Sequence, residues 1–138
     1  MVSALGLDIG RKRIGVAGCD GLGLMATGLT TINRRAFRQD VELLRQFVED
    51  RRVEVLVVGL PYTMDGELGS QAKQTQKLAQ RFSKALSLPI EYVDERLTSF
   101  EAEEMIKAND QSPSRNKGLI DRKAAAIILQ QWLDERRR

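Results

Sequence analysis

The sequence predicts an α/β fold: a mixed five-stranded sheet, three antiparallel strands and then parallel βα units, with helices on both faces. Three observations predict it. Apolar stretches at 4–8, 13–19 and 22–32 follow one another through connections too short for a crossover, which makes those strands antiparallel. Apolar runs at 53–59 and 90–94 then alternate with segments of helical periodicity, the pattern of βα units. The length of 138 residues, 42% hydrophobic and 30% charged, fits one domain over 1–138 that can bury about two thirds of its unfolded surface.

Each element has its own justification. Residues 4–8 (ALGLD) and 13–19 (RIGVAGC) read as two strands joined by a tight turn at Gly10. Residues 22–32 (LGLMATGLTTI) are rich enough in β-formers for a third strand. Phe37, Val41, Leu44, Phe47 and Val48 recur at helical spacing with charges between them. Residues 53–59 (VEVLVVG) form a short apolar run, as in a strand buried on both faces. Pro61, Asp65-Gly66 and Gly69 mark a loop. A helix over about 70–87 turns Leu78, Ala79, Phe82 and Leu86 inward, Pro89 ends that region, and IEYVD at 90–94 gives the fifth strand. Thr98 and Glu101 have capping-box spacing, so a helix should start at 98 with Ala102, Met105 and Ile106 inward. Residues 109–118 read as a polar loop. The last helix, about 119–134, is apolar on a broad face through Ile120, Ala124, Ile127, Ile128 and Leu133, with Trp132 in the core.

Composition removes whole classes of chemistry. There is no histidine, which excludes Ser-His-Asp and Cys-His catalysis and zinc sites built on imidazole. The single cysteine, Cys19, can form neither an intrachain disulfide nor a thiolate metal site. Carboxylates, lysines, hydroxyls and backbone amides remain, and carboxylates select hard cations such as Mg²⁺ or Mn²⁺. No signal peptide is visible and no apolar run reaches the ~20 residues that span a bilayer, so a soluble cytoplasmic protein is expected. A net charge of +3 and a pI near 9.2 permit a nucleic-acid partner without demanding one.

Three groups of acids stand in unusual places. Asp8 ends one apolar strand, Asp94 and Glu95 end another, and Asp121 lies in the first turns of the most apolar helix. An ionised carboxylate buried alone is costly, so each needs a partner or a cation. Sites in open α/β sheets form at the carboxyl ends of strands, where Asp8 and Asp94/Glu95 both lie. A helix packed on the sheet could bring Asp121 to them. Carboxylates converging on one point repel unless a divalent ion sits between them, and such a cluster suits metal-assisted phosphoryl transfer. Structural roles are the alternative. Asp8 could accept hydrogen bonds from the turn at Gly10, Asp94 could pair with Arg96, and Asp121 could favour a helix N-terminus. Strand alternation puts Asp94 and Glu95 on opposite faces without saying which face carries a site.

Cations form two sets. Lys73, Lys77, Arg81 and Lys84 fall within an arc of roughly 80° on one helix face, opposite Leu78 and Phe82. The stretch from 70 to 87 holds no acid, so this face suits a nucleic-acid contact as well as plain solvation. Arg34, Arg35 and Arg38 make a smaller group. Arg11, Lys12, Arg96, Lys117 and Arg122 each neighbour one of the unusual acids or its loop, where they could hold a phosphodiester or simply pair with neighbours.

Taken together, the motifs resemble a known family. D-I-G at 8–10 with R-I-G-V-A at 13–17, V-V-G-L-P at 57–61, M-D-G at 64–66, D-E-R-L-T-S at 94–99 and N-K-G…D at 116–121 resemble the YqgF family, also called RuvX, in the right order along nearly the whole chain. Its members look like RuvC-type Holliday junction resolvases of RNase H fold and are described as nucleases of pre-16S rRNA in ribosome biogenesis. The resemblance implies a single RNase H-like nuclease domain over 1–138, with Asp8, Glu95 and Asp121 as catalytic carboxylates holding Mg²⁺ or Mn²⁺. It favours Glu95 over Asp94. It implies a structured RNA substrate, pre-rRNA before a DNA junction, contact with ribosomal particles, no membrane, and a monomer or homodimer. Many nucleases of this fold take their second acid from the fourth strand. Here that strand ends Gly59-Leu60-Pro61 with no acid, so the fifth strand must supply it.

Three other readings stay open. A Holliday junction resolvase would need two sites and hence a dimer. A nucleic-acid-binding module without catalysis would bind regardless of Asp8. Asp8, Gly10 and Gly15 also resemble the phosphate hairpin of actin-like and sugar-kinase ATPases, which require a second, similar domain.

Overall fold

The computed structural model describes residues 2–62, 65–95 and 117–136. The elements are β1 (Ala4–Ile9), β2 (Arg13–Cys19), β3 (Ala26–Asn33), α1 (Phe37–Arg51), β4 (Val55–Leu60), α2 (Ser70–Leu86), β5 (Ile90–Asp94) and α3 (Lys117–Arg136). The strands form one sheet in the order β3-β2-β1-β4-β5. β1–β2 and β2–β3 are antiparallel, whereas β1–β4 and β4–β5 are parallel. The expected α/β architecture is therefore the one observed. The helix expected from 98 and most of the polar loop at 109–118 lie outside the described residues.

Alternation along the strands builds two cores. Leu5, Leu7, Ile14, Val16, Leu56 and Val58 pack with Val41, Leu44, Ala79 and Phe82 under α1 and α2. Ala4, Ala17, Val55, Val57 and Val93 pack with Ala125, Ile128, Leu129, Trp132 and Leu133 of α3 on the other face. Phe37 and Phe82 stack with ring centroids 5.3 Å apart and tie α1 to α2. Ile120 and Ile127, expected inward, are only half-buried, Ala125 and Leu129 take inward positions, and Trp132 lies in the core as expected.

Two boundaries differ from expectation. The third strand starts at Ala26, not at 22, because Asp20 closes a turn: its carboxylate accepts the Leu24 N–H at 2.7 Å and the Met25 N–H at 3.3 Å. Local side-chain bonding of this kind outcompetes the ladder and leaves Leu22, Leu24 and Met25 exposed. The last helix begins at Lys117, so Gly118 is helical rather than part of the loop.

α3 lies unusually close to the sheet, and glycine makes that possible. A Cβ on Gly6 would stand 2.8 Å from Leu129 Cβ, one on Gly28 3.0 Å from Arg122 Cβ, and one on Gly15 would overlap the Asp121 carbonyl. Hydrogen bonds pin both ends of the helix. Thr31 Oγ1 donates to the Gly118 carbonyl, the Ala26 N–H to Gln130 Oε1, and Trp132 Nε1 to Glu91 Oε1. Overpacking a site that cannot yield costs about 1–3 kcal/mol or more. Gly15→Ala is expected to lower the urea midpoint by the equivalent of about 3 kcal/mol or prevent folding. Gly21→Ala, with nothing within 4 Å of the added methyl, should stay within about 0.5 kcal/mol of wild type.

Candidate active site

Strand phase brings the acids together. Leu5, Leu7 and Ile9 face α1 and α2, which sends Asp8 to the α3 face, opposite Gly15 in the β1–β2 register. In β5, Tyr92 packs on the α1–α2 side and Val93 on the α3 side. Glu95, two residues past Val93, thus shares a face with Asp8, while Asp94 is exposed in phase with Tyr92. The Glu95 N–H donates to the Leu60 carbonyl at 3.1 Å and fixes the residue just past the end of the ladder.

The carboxyls of Asp8 and Glu95 share a hydrogen bond. Burial is the largest influence on both and disfavours charge on each. The negative charge of Asp8 and the hydrogen bond to it act on Glu95 as well, with a smaller push from Asp94, and lift its pKa to about 9. Glu95 is therefore the protonated partner, and its O–H donates to the Asp8 carboxylate. That bond favours the ionised Asp8, but burial and repulsion from Asp121 outweigh it and Asp8 too stands above its ordinary range.

Asp121, in the second turn of α3, has a different partner. Arg13 Nε donates to Asp121 Oδ2 at 2.5 Å, with the two side chains 32% and 18% exposed. Arg13 shares the α3-facing side of β2 with Gly15, which is how a residue 108 positions away meets it. From sequence, Arg11 and Lys12 stand out and Arg13 does not. The signal that could have found it is the phase 13, 15, 17 on the strand that receives α3. Among the described residues, no three acids stand close enough to hold one ion. The arrangement is a hydrogen-bonded pair with a third acid within electrostatic range, its negative charge reduced by a proton on Glu95 and the guanidinium of Arg13.

The other expected binding residues are scattered. Arg11 and Lys12 are exposed at the β1–β2 turn, where the carbonyls of Gly10 and Arg11 accept from Arg34 Nη1. Arg11 also lines a small cleft with Arg34, Gln71 and Gln74. Arg122 turns toward β3, with Nε donating to the Gly118 carbonyl at 3.3 Å and Cβ against Gly28. Lys73, Lys77, Arg81 and Lys84 are all exposed on α2, but α2 covers the face opposite the acids. Arg81 also lies 3.9 Å above the Phe37 ring. Arg96 and the side chain of Lys117 lie outside the described residues.

The pair sets a sign for stability against pH. With its folded pKa raised, Glu95 keeps its proton where the unfolded chain has lost it, so its contribution is full below about pH 4.5 and drains away as pH climbs toward 9. Glu95→Gln cannot lose a proton. With chelator present, it should therefore be more stable than wild type by about 1–3 kcal/mol at pH 8 and nearly equal to it at pH 4. Thermal melts of both proteins across that range check this.

Comparison with known proteins agrees with this architecture. The profile of the RuvX family, described as Holliday junction resolvase, matches residues 2–135. A protein of Synechococcus elongatus named "putative pre-16S rRNA nuclease" is 71% identical over 135 residues, covering 98% of this chain and 91% of its own. One of Trichormus variabilis with the same name is 68% identical over 136 residues, covering 99% and 90%. Among solved structures, Thermus thermophilus RuvC bound to a Holliday junction substrate superposes with a TM-score of 0.56 at 15% identity, covering 99% of this chain and 96% of the other. Fowlpox virus resolvase with Holliday junction DNA gives 0.59 at 8%, covering 99% and 100%. These two share the fold, an RNase H-like sheet with helices on both sides. By profile, identity and coverage, the chain belongs to the RuvX family.

Proposed function

We propose that this protein is a divalent-metal-dependent nuclease that cuts structured RNA, with the 5′ end of the 16S rRNA precursor as its substrate, in the cytoplasm during ribosome assembly. The observation that carries the reading is the Asp8–Glu95 carboxyl pair, half-buried at the carboxyl ends of β1 and β5 with Asp121 within electrostatic range. A pair this confined serves stability poorly, and carboxyl groups with raised pKa values on strand ends are a common mark of a reaction site. The name given to relatives at 71% and 68% identity supports the substrate class.

The donor set fits Mg²⁺ or Mn²⁺. It is all oxygen; two carboxyls share a proton that a cation would replace, and the third already holds a cationic group. Asp8 and Glu95 would hold the ion, and Asp121 would join them by leaving its place beside Arg13. When bound, it supplies Lewis acidity toward the phosphoryl group and a lower pKa for the attacking water. The chain does the rest. Asp8 and Glu95 give up their shared proton to bind. Arg13 holds Asp121 in place, and its guanidinium is a donor that a phosphodiester could use. Arg11 and Lys12, with Arg96 and Lys117 by sequence position, bind flanking phosphates. Arg122 by β3 and the Lys73, Lys77, Arg81, Lys84 stripe on α2 serve more distant parts of a folded RNA.

A resolvase is the second reading, favoured by the family description and by two fold neighbours bound to Holliday junctions. It requires a dimer with paired sites. Cleavage of a labelled pre-16S leader with Mg²⁺ or Mn²⁺, run beside a four-way DNA junction, separates the two. RNA cutting should fall about 100-fold or more in Asp8→Asn. Cutting of the junction alone would move the function to recombination. RNA binding with no cleavage, unchanged by the substitution, would leave a binding module.

A further inference from the structure

We infer that Gly59 is a positioning residue for Glu95: the bare backbone of β4 is the seat on which the carboxyl from β5 reaches Asp8. A Cβ on Gly59 would stand 2.8 Å from Glu95 Oε2 and 3.0 Å from its Cδ, and would also overlap Ile128 Cδ1 of α3. Backbone conformation does not account for this glycine. The positive-φ glycines among the described residues are Gly23 and Gly66, so β4 passes through Gly59 in ordinary strand geometry. Nor does burial call for a glycine. Val55 and Val57, on the same face of the same strand, fill the core with branched side chains. Glycine inside a strand marks close approach by another group, and here that group is the Glu95 carboxyl.

The register explains why the seat lies there. β1 and β4 run parallel with Leu7 beside Val58, so the next residue of each, Asp8 and Gly59, continues the pair. Glu95 is anchored by its N–H on the Leu60 carbonyl, one residue further along β4. To meet Asp8 on β1, its side chain must cross β4, which lies between β1 and β5. Any side chain at position 59 would stand in that path. The fourth strand carries no acid and, at this point, no side chain, and the two facts are one device: the acid comes from the next strand over an empty position.

The inference rests on the nuclease reading only for its consequence, metal binding, and its test keeps the two apart. Ile128→Val removes Cδ1 and serves as the background, so that the clash with α3 is relieved. In that background and in EDTA, Gly59→Ala should lower the urea midpoint with Glu95 present, and Glu95→Ala should remove at least half of that drop. An equal drop with and without the Glu95 side chain would mean that Gly59 serves only helix packing and would overturn the inference. Mn²⁺ is then titrated calorimetrically into Ile128→Val with and without Gly59→Ala. Binding at least 10-fold weaker in the double variant, with a melting temperature close to that of Ile128→Val, is expected. Equal Mn²⁺ affinity in the two proteins would also overturn it. If Mn²⁺ binds neither these proteins nor wild type while the stability coupling holds, the seat for Glu95 stands and the metal reading falls.

Discussion

Contact between α3 and bare backbone is the constraint on which the rest depends. The helix crosses the sheet with its own main chain against Gly15 and its side chains against Gly6 and Gly28. Closeness of this kind is intolerant, since a single methyl has nowhere to go. It also carries Asp121 down to the level of Asp8, because Gly15 is both the register partner of Asp8 and the residue under the Asp121 carbonyl. A helix held at the usual spacing by alanine or valine would keep the same core residues inward and lift the third acid away from the first two.

Charge in this cleft is balanced in two different ways. Asp8 and Glu95 remove one charge by holding a proton, at the expense of a carboxyl kept neutral far above its ordinary range. Asp121 instead pairs with a guanidinium that spans from one strand to the helix. Both are reversible, the first by proton release and the second by swinging a long side chain. Neither resembles a permanent buried ion pair, which would gain little net stability after desolvation. A groove whose negative charge is held by exchangeable partners suits a site that trades them for a cation and a phosphate.

Much of this was legible in the sequence, for identifiable reasons. Short connections between the first three strands dictated antiparallel pairing, and the apolar run at 53–59 announced a central strand. Asp8 stood out because an acid closed an otherwise apolar strand. The choice between Asp94 and Glu95 was not legible from pattern alone, since alternation gives two faces and only the docking of α3 says which of them Asp8 shares. Arg13 was hidden in a run of three cations and needed the β2 register to separate it from Arg11 and Lys12. The α2 stripe shows the same limit. Helical periodicity located its exposed face correctly, yet the side of the sheet on which α2 lies, away from the acids, is a matter of topology. The start of β3 was missed because one carboxylate, Asp20, bonded its own turn.

The link between Arg13 and Asp121 spans 108 residues. Contacts of that range close late, because the entropy of a long loop must be met before they form. During synthesis, the ribosome would release β1, β2 and their acid long before the helix that carries the third carboxylate. A chain at that stage can assemble most of the sheet but has no complete acid set.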